Sequence, residues 1–232
     1  MKKIISIIGC SVLMGSLLQA AVITTTDEME SGTGWSSIGA GFSGFKTETN
    51  GLSPNAGSEF VYMFNSANNV NGSIYKNLGI TLAAGTTYRI EVAVGKATGD
   101  AFMPTSASNP FHSYLSFGFF TNSVSAGADV RNAIQSFGGN ADLTVENFSL
   151  TVPVDGTWEI WSYDLVVASG SSLDGVAVNF GIGWNTGDGS FFTGRRGIAF
   201  DNVTITAIPE PTTIHLFLIS FIGAFFSRGL FI

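Results

Sequence analysis

The stretch TYRIEVAVG, Thr87–Gly95, decides the fold. Successive side chains of an extended chain point to opposite faces, so Tyr88, Ile90, Val92 and Val94 share one face and Arg89 and Glu91 the other. The same period of two runs through AVNFGIGWN at 177–185, with Val178, Phe180, Ile182 and Trp184 aligned. In TWEIWSYDLVV at 157–167, Trp158 and Ile160 take one face and Trp161, Tyr163, Leu165 and Val167 the other. That pattern reads as a bulge, or as a strand covered on both faces. Further strand candidates are 21–25, 44–49, 59–65, 73–78, 114–121, 143–152 and 197–207.

Between these runs lie clusters such as NGLSPNAGS, SANNVNGS, NTGDGS and TGRRG. Their Gly and Asn residues supply positive φ at little steric cost. About ten short strands with such punctuation predict an antiparallel all-β sandwich or barrel. One short helix is expected over 125–137, and 98–112 reads as a long loop.

The two ends differ from the body. MKKIISIIGCSVLMGSLLQAA opens with two lysines, continues apolar from Ile4 to Leu18 and closes on Ala20 and Ala21. It reads as a secretory signal peptide over 1–20. The β-sandwich domain is then 21–208, and 209–232 is a separate tail. Cys10 is the only cysteine, so removal of the leader leaves no disulfide and no thiolate. Acidic residues outnumber basic ones 17 to 10, which argues against a nucleic-acid partner. The chain has only two histidines, His112 and His215, and the second lies in the tail. A His-rich zinc site and a Ser-His-Asp triad are therefore disfavoured. Glu91, Glu146, Glu159 and Asp164 sit in or near strands, where alternating exposed charge explains them better than a glycosidase pair. Stacking platforms for sugars would come from Trp35, Tyr62, Trp158, Trp161 and Trp184, against which stands ordinary core packing.

The tail, AIPEPTTIHLFLISFIGAFFSRGLFI, carries Pro209, Glu210 and Pro211, an apolar run from Ile214 to Phe226, and Arg228. It resembles the PEP-CTERM sorting signal of Gram-negative surface proteins, in which this motif precedes a transmembrane helix and a basic end. GIAFDNVTITAIPEP, an FDNV strand feeding directly into the motif, strengthens the resemblance. Two prolines end a strand ladder. From 212 to 232 the chain is long enough to span a bilayer if Arg228 snorkels to the headgroups. The resemblance implies exosortase as partner, transient membrane anchoring through the tail after export across the inner membrane, and delivery to the cell surface or extracellular matrix. DEMESGTGWSS, GTTYRIEVAVG and IAFDNVTIT resemble jelly-roll domains of the carbohydrate-binding-module and galactose-binding type. That likeness implies a jelly roll with a structural calcium ion held by Glu30 and Asp201, although Met29 stands where those domains have Phe.

The expected function is thus a non-catalytic, exosortase-processed surface or matrix protein that binds polysaccharide, with Trp35, Tyr62, Trp161 and Trp184 as the sugar-binding candidates. An adhesive component without a ligand and a secreted glycan-active enzyme are the alternatives.

Overall fold

A computed structural model describes residues 21–39, 42–65, 71–101, 110–111, 115–121, 130–185 and 196–210. Two compact units divide the chain. One unit comprises both terminal segments, of which only 21–22 and 209–210 are described; the expected signal peptide and all of the tail beyond Glu210 lie outside the described residues. The other unit, Ile23–Ile208, is an antiparallel β-sandwich.

Its strands are β1 (Ile23–Asp27), β2 (Ser36–Gly39), β3 (Phe42–Lys46), β4 (Phe60–Asn65), β5 (Asn71–Thr81), β6 (Thr86–Lys96), β7 (Leu115–Phe120), β8 (Leu143–Ser149), β9 (Thr157–Val167), β10 (Ala177–Asn185) and β11 (Arg196–Pro209). One sheet has seven strands, in the order β3-β4-β11-β6-β9-β8, with β1 also pairing β11. The first half of β11 pairs β4 and the second half pairs β1. The other sheet has the order β2-β5-β10-β7. Each strand expected from alternation is present, and β2 is an addition within a Gly-rich stretch.

The sheets face each other across one core. Tyr88, Ile90, Val92 and Val94 of β6 and Trp161, Tyr163, Leu165 and Val167 of β9 meet Val178, Phe180, Ile182 and Trp184 of β10. Hydroxyls in this core are satisfied locally: Tyr163 Oη donates to the Phe117 carbonyl at 3.1 Å, and its complete burial pushes the phenol pKa well up. β9 resolves its own ambiguity. It pairs β6 without interruption from Thr86↔Val167 to Lys96↔Thr157, so it carries no bulge in that ladder; on its outer face Trp158 packs against a second apolar cluster while Ile160 is exposed. The bulges lie elsewhere. Across Asn202, at φ 47°, the core-facing positions of β11 change from Ile198 and Phe200 to Val203 and Ile205. Asp201 precedes the shift and faces outward by ordinary alternation after Phe200, and the shift returns Val203 to the core.

The helix α1 (Val130–Gly138) packs on β7 and β10 and buries Val130, Ile134 and Phe137. It can approach because β10 carries Gly181 and Gly183, where a Cβ would strike Val130 and the Arg131 backbone. At the rim the sheets are tied by an ion pair between Lys76 of β5 and Asp27 of β1. Asp27 also accepts from Trp35 Nε1 at 2.8 Å and from the Met29 amide at 2.9 Å. Partial burial alone would raise the Asp27 pKa, but the bonds from Lys76, Trp35 and Met29 outweigh it and hold the carboxyl below its usual value.

Asp27→Ala removes all three acceptor contacts and leaves a mostly buried ammonium and an indole N–H without their partner. The expected cost is about 2–3 kcal/mol, read as a fall in Tm of roughly 5–10 °C for a domain of this size. A carboxyl with a depressed folded pKa stabilises above its unfolded value and loses that contribution as the pH falls through the folded one. The difference between wild type and variant should therefore shrink below about pH 4, and a gap that persists there would contradict the assignment.

Candidate active site

The seven-stranded sheet is covered on its outer face as well as its inner one. Outward-facing positions near one end of the sandwich carry small residues: Ala93 and Gly95 on β6, Ala97 just after it, and Gly197 and Ala199 on β11. Beside them stand Phe60, Tyr62 and Phe64 of β4 and Trp158 of β9. The segment between β3 and β4 folds back over this furrow and seats Leu52 in it, fully buried. A Cβ at Gly95 would collide with both Trp158 and Leu52, which is why a strand otherwise rich in β-branched residues has glycine there.

The covering segment is pinned along its length. Thr49 and Leu52 exchange two backbone bonds of 2.9 Å, and the Asn50 carbonyl accepts from the Thr98 amide at 3.0 Å. Trp158 Nε1 donates to the Ser53 carbonyl at 2.8 Å. Asp201 accepts from the amides of Asn55 and Ala56 at 2.8 and 2.9 Å through one oxygen, and from the Asn202 amide at 2.7 Å through the other. Full burial pushes the Asp201 carboxyl up to about 6; the amides of Ala56, Asn202 and Asn55 pull it down, and the charge of Glu30 adds to the rise. Glu30 in turn accepts from the Ser58 and Glu59 amides and from Ser58 Oγ. The two carboxylates expected to share a cation therefore do anchor one short segment, 55–59. Among the described residues there is no group of three or more His, Cys, Asp or Glu side chains placed to hold a metal.

Within the furrow, Tyr62 Oη donates to the carboxylate of Asp100, and both side chains are buried, at 3% and 4% exposure. Asp100 follows β6 in a turn closed by its own amide on the Ala97 carbonyl at 3.2 Å. That turn is braced by Asp155, which pairs with Lys96 at 2.6 Å and accepts from the Gly99 amide at 3.3 Å. Gly197 completes the arrangement, because any Cβ there would strike both Tyr62 Oη and the Asp100 carboxylate. A phenol bonded to a buried carboxylate and walled by aromatics is an arrangement that can hold and move a proton out of water. Phe60 and Trp158 meet edge to face at 5.5 Å, and Tyr62 stacks on Phe64 at 6.1 Å.

The expected site residues are scattered by comparison. Trp161 and Trp184 lie in the core at 1% and 2% exposure, Tyr62 is covered, and Trp35 is half-buried against Phe180. These residues form no exposed aromatic strip. Of the sorting motif, Pro209 and Glu210 are at the end of β11, and Pro211 and Arg228 lie outside the described residues. Asp100 was not singled out from the sequence; a lone Asp after Gly in a loop has no pattern. The available signal was the alternation of Ala93, Gly95 and Ala97, which marks a closely covered second face.

The antiparallel sandwich agrees with the comparisons. The crystal structure of a Stig cyclase, Fisc from Fischerella sp. TAU, in complex with (3Z)-3-(1-methyl-2-pyrrolidinylidene)-3H-indole, superposes with a TM-score of 0.52. Identity is 11%, over 82% of this chain and 100% of that one. A second cyclase structure from Fischerella sp. TAU gives a TM-score of 0.52 at 12% identity, over 83% and 100% of the two chains. At such identities the likeness concerns the fold. No curated protein matches the chain significantly. The family model described as HpiC1-like, HpiC1 cyclase, matches residues 18–206, and the chain belongs to that family.

This membership corrects several expectations. The family recognised is a cyclase family and not the PEP-CTERM proteins, and it is a family of enzymes rather than of surface or matrix proteins. Exosortase and polysaccharide are replaced by a small-molecule substrate, and the burial of Trp161, Trp184 and Tyr62 supplies the physical reason against a sugar platform. Transient anchoring and surface delivery rested on the tail resemblance and fall with it; among the described residues no helix is long and apolar enough to cross a membrane.

Gly197→Ala forces Tyr62 and Asp100 apart. Overpacking of this kind should cost about 1–3 kcal/mol, measured by thermal denaturation, with loss of the Tyr62–Asp100 bond in a crystal structure of the variant. Unchanged stability would show that the furrow has slack which the wild-type geometry does not display.

Proposed function

We propose that this chain is a cyclase that closes a ring in an apolar, indole-bearing small molecule by proton transfer, with Tyr62 and Asp100 handling the proton. The observation that carries the reading is the match of the cyclase family model over 18–206; the buried phenol–carboxylate pair supplies a chemistry that suits it. Ring closure of an unsaturated substrate needs no net redox change. A proton delivered to one π-bond leaves a cation, a second π-bond of the same molecule captures it, and loss of a proton returns the acid to its starting state. A carboxyl group and a phenol in a dry site can exchange that proton, and the faces of Phe60, Phe64 and Trp158 favour a passing cation. The indole preference is drawn from the ligand bound by the Fischerella cyclase.

The test uses that ligand, (3Z)-3-(1-methyl-2-pyrrolidinylidene)-3H-indole. Calorimetric titration of the purified full chain should show saturable binding, weakened at least about tenfold, near 1.4 kcal/mol, in Asp100→Asn and Tyr62→Phe. Binding that is absent in wild type, or equal in all three proteins, would overturn the reading.

We further propose that Glu30 and Asp201 take part in holding a calcium ion. Carboxylate oxygens are hard donors suited to calcium, and backbone carbonyls would have to complete a set of six to eight oxygens. When bound, the ion would neutralise two carboxylates that otherwise repel each other across segment 55–59. Calcium binding only to the native state should raise Tm with concentration at pH 7.5. Because the Asp201 carboxyl titrates near 6 and must be ionised to ligate, the rise should diminish at pH 5 and vanish in Asp201→Asn. A rise of equal size in that variant would exclude the site.

A further inference from the structure

Residues 47–59, which run over the furrow, are all described, and within them Leu52 alone is buried. Its neighbours along the segment are exposed or half-buried. Leu52 belongs to one apolar cluster with Phe60, Tyr62, Ala97 and Ala199, against which Phe64 and Trp158 also pack. Its Cδ2 stands 2.9 Å from where a Cβ on Gly95 would be. A covering segment that inserts one side chain fills the furrow with its own isobutyl group. The apolar space in the cluster of Tyr62 is thus occupied by this chain itself.

The segment is held unequally along its length. At its base, Asp201 accepts from the Asn55 and Ala56 amides, and Glu30 accepts from the Ser58 and Glu59 amides and from Ser58 Oγ. Bonds to carboxylates are the stronger kind. At its tip, 49–53, two bonds among the described residues join it to the rest of the sandwich. The Thr98 amide donates to the Asn50 carbonyl at 3.0 Å, and Trp158 Nε1 donates to the Ser53 carbonyl at 2.8 Å. Both are neutral. The two bonds between Thr49 and Leu52 close a turn at Asn50 and Gly51, whose φ values of 45° and 78° suit a two-residue hairpin loop, and they travel with it. Lifting the tip as a unit therefore costs two neutral bonds and the burial of Leu52, while the base stays in place.

We infer that Leu52 is a specificity-determining residue of the furrow: the apolar ring of the substrate takes the place of the Leu52 side chain, by lifting the tip 49–53 while 55–59 stays bound to Asp201 and Glu30. This rests on the reading of the furrow as the cyclase site and deepens it. Every binding event then includes the opening of the tip, so the apparent affinity is the intrinsic one reduced by the fraction of open molecules. Trimming Leu52 removes that reduction. If Leu52 served stability alone, trimming it would loosen the site and weaken binding. The two roles predict changes of opposite sign.

The test titrates the full chain with (3Z)-3-(1-methyl-2-pyrrolidinylidene)-3H-indole, the ligand of the Fischerella cyclase, by calorimetry. Leu52→Ala should bind it at least about tenfold more tightly than wild type. Leu52→Met, which keeps the volume of the side chain, should bind it as wild type does. Amide hydrogen exchange of the wild type supplies a second readout. Saturating ligand should speed exchange at Thr98, whose amide is held by the tip, and leave Asn55 and Ala56 protected. If Leu52→Ala fails to fold, the exchange at Thr98 decides. Binding that is equal or weaker in Leu52→Ala, while Asp100→Asn still weakens it, would overturn the role of Leu52 and leave the cyclase reading standing. So would a Thr98 amide that exchanges no faster in the complex. Binding absent from both wild type and Leu52→Ala would instead remove the furrow reading, and this inference with it.

Discussion

Asp201 holds the outer layer of this sandwich in place. Its carboxylate is fully buried beside a bulge in the central strand β11 and takes two amides of the covering segment at Asn55 and Ala56. Together with the bonds from Thr98 to Asn50 and from Trp158 to Ser53, that anchor keeps the chain between β3 and β4 against the sheet, with Leu52 in the furrow over Tyr62, Phe60 and Trp158. Asp201 faces outward by ordinary alternation after Phe200, on the same side as Gly197 and Ala199, and the left-handed backbone at Asn202 then returns Val203 and Ile205 to the core.

Coverage on both faces explains the composition of the middle strands. A strand with one wet face alternates apolar and polar residues, as β6 does at Arg89 and Glu91. Farther along, the same strand carries Ala93 and Gly95 on the outer side, with Ala97 just past its end, and β11 carries Gly197 and Ala199. Small side chains there leave room for Leu52, Trp158 and the Tyr62–Asp100 pair. The transition from charged to small residues along one face marks where solvent gives way to a second packed layer.

Alternation with period two was readable directly, so the strands, the shared core and the antiparallel class followed from residues such as Tyr88, Ile90, Val92 and Val94. β2 escaped because Ser36–Gly39 offers only Ile38 as an apolar residue, and its pairing with β5 is decided by tertiary contact. Glu30 and Asp201 were singled out as calcium ligands through a family resemblance; their shared hold on segment 55–59 arises through amides that sequence does not display. Asp100 could not be read at all: its partnership with Tyr62 joins positions on separate elements through the register of β4, β11 and β6. The tryptophans misled because indole rings serve both as core and as platform, and only the register of β9 and β10 decides which face each one takes. The tail misled more strongly, since a short motif outweighed the body, whereas the family match rests on residues 18–206.

The covered furrow, and not an exposed aromatic surface, is where we propose that the substrate binds. A crystal structure of the full chain soaked with the indole ligand of the Fischerella cyclase addresses it most directly. Electron density for the ligand is expected in the furrow beside Phe60 and Trp158, with a polar atom about 3 Å from Tyr62 Oη or the Asp100 carboxylate. Ligand density found only elsewhere on the sandwich, with Leu52 still closed over an undisturbed Tyr62–Asp100 pair, would contradict it.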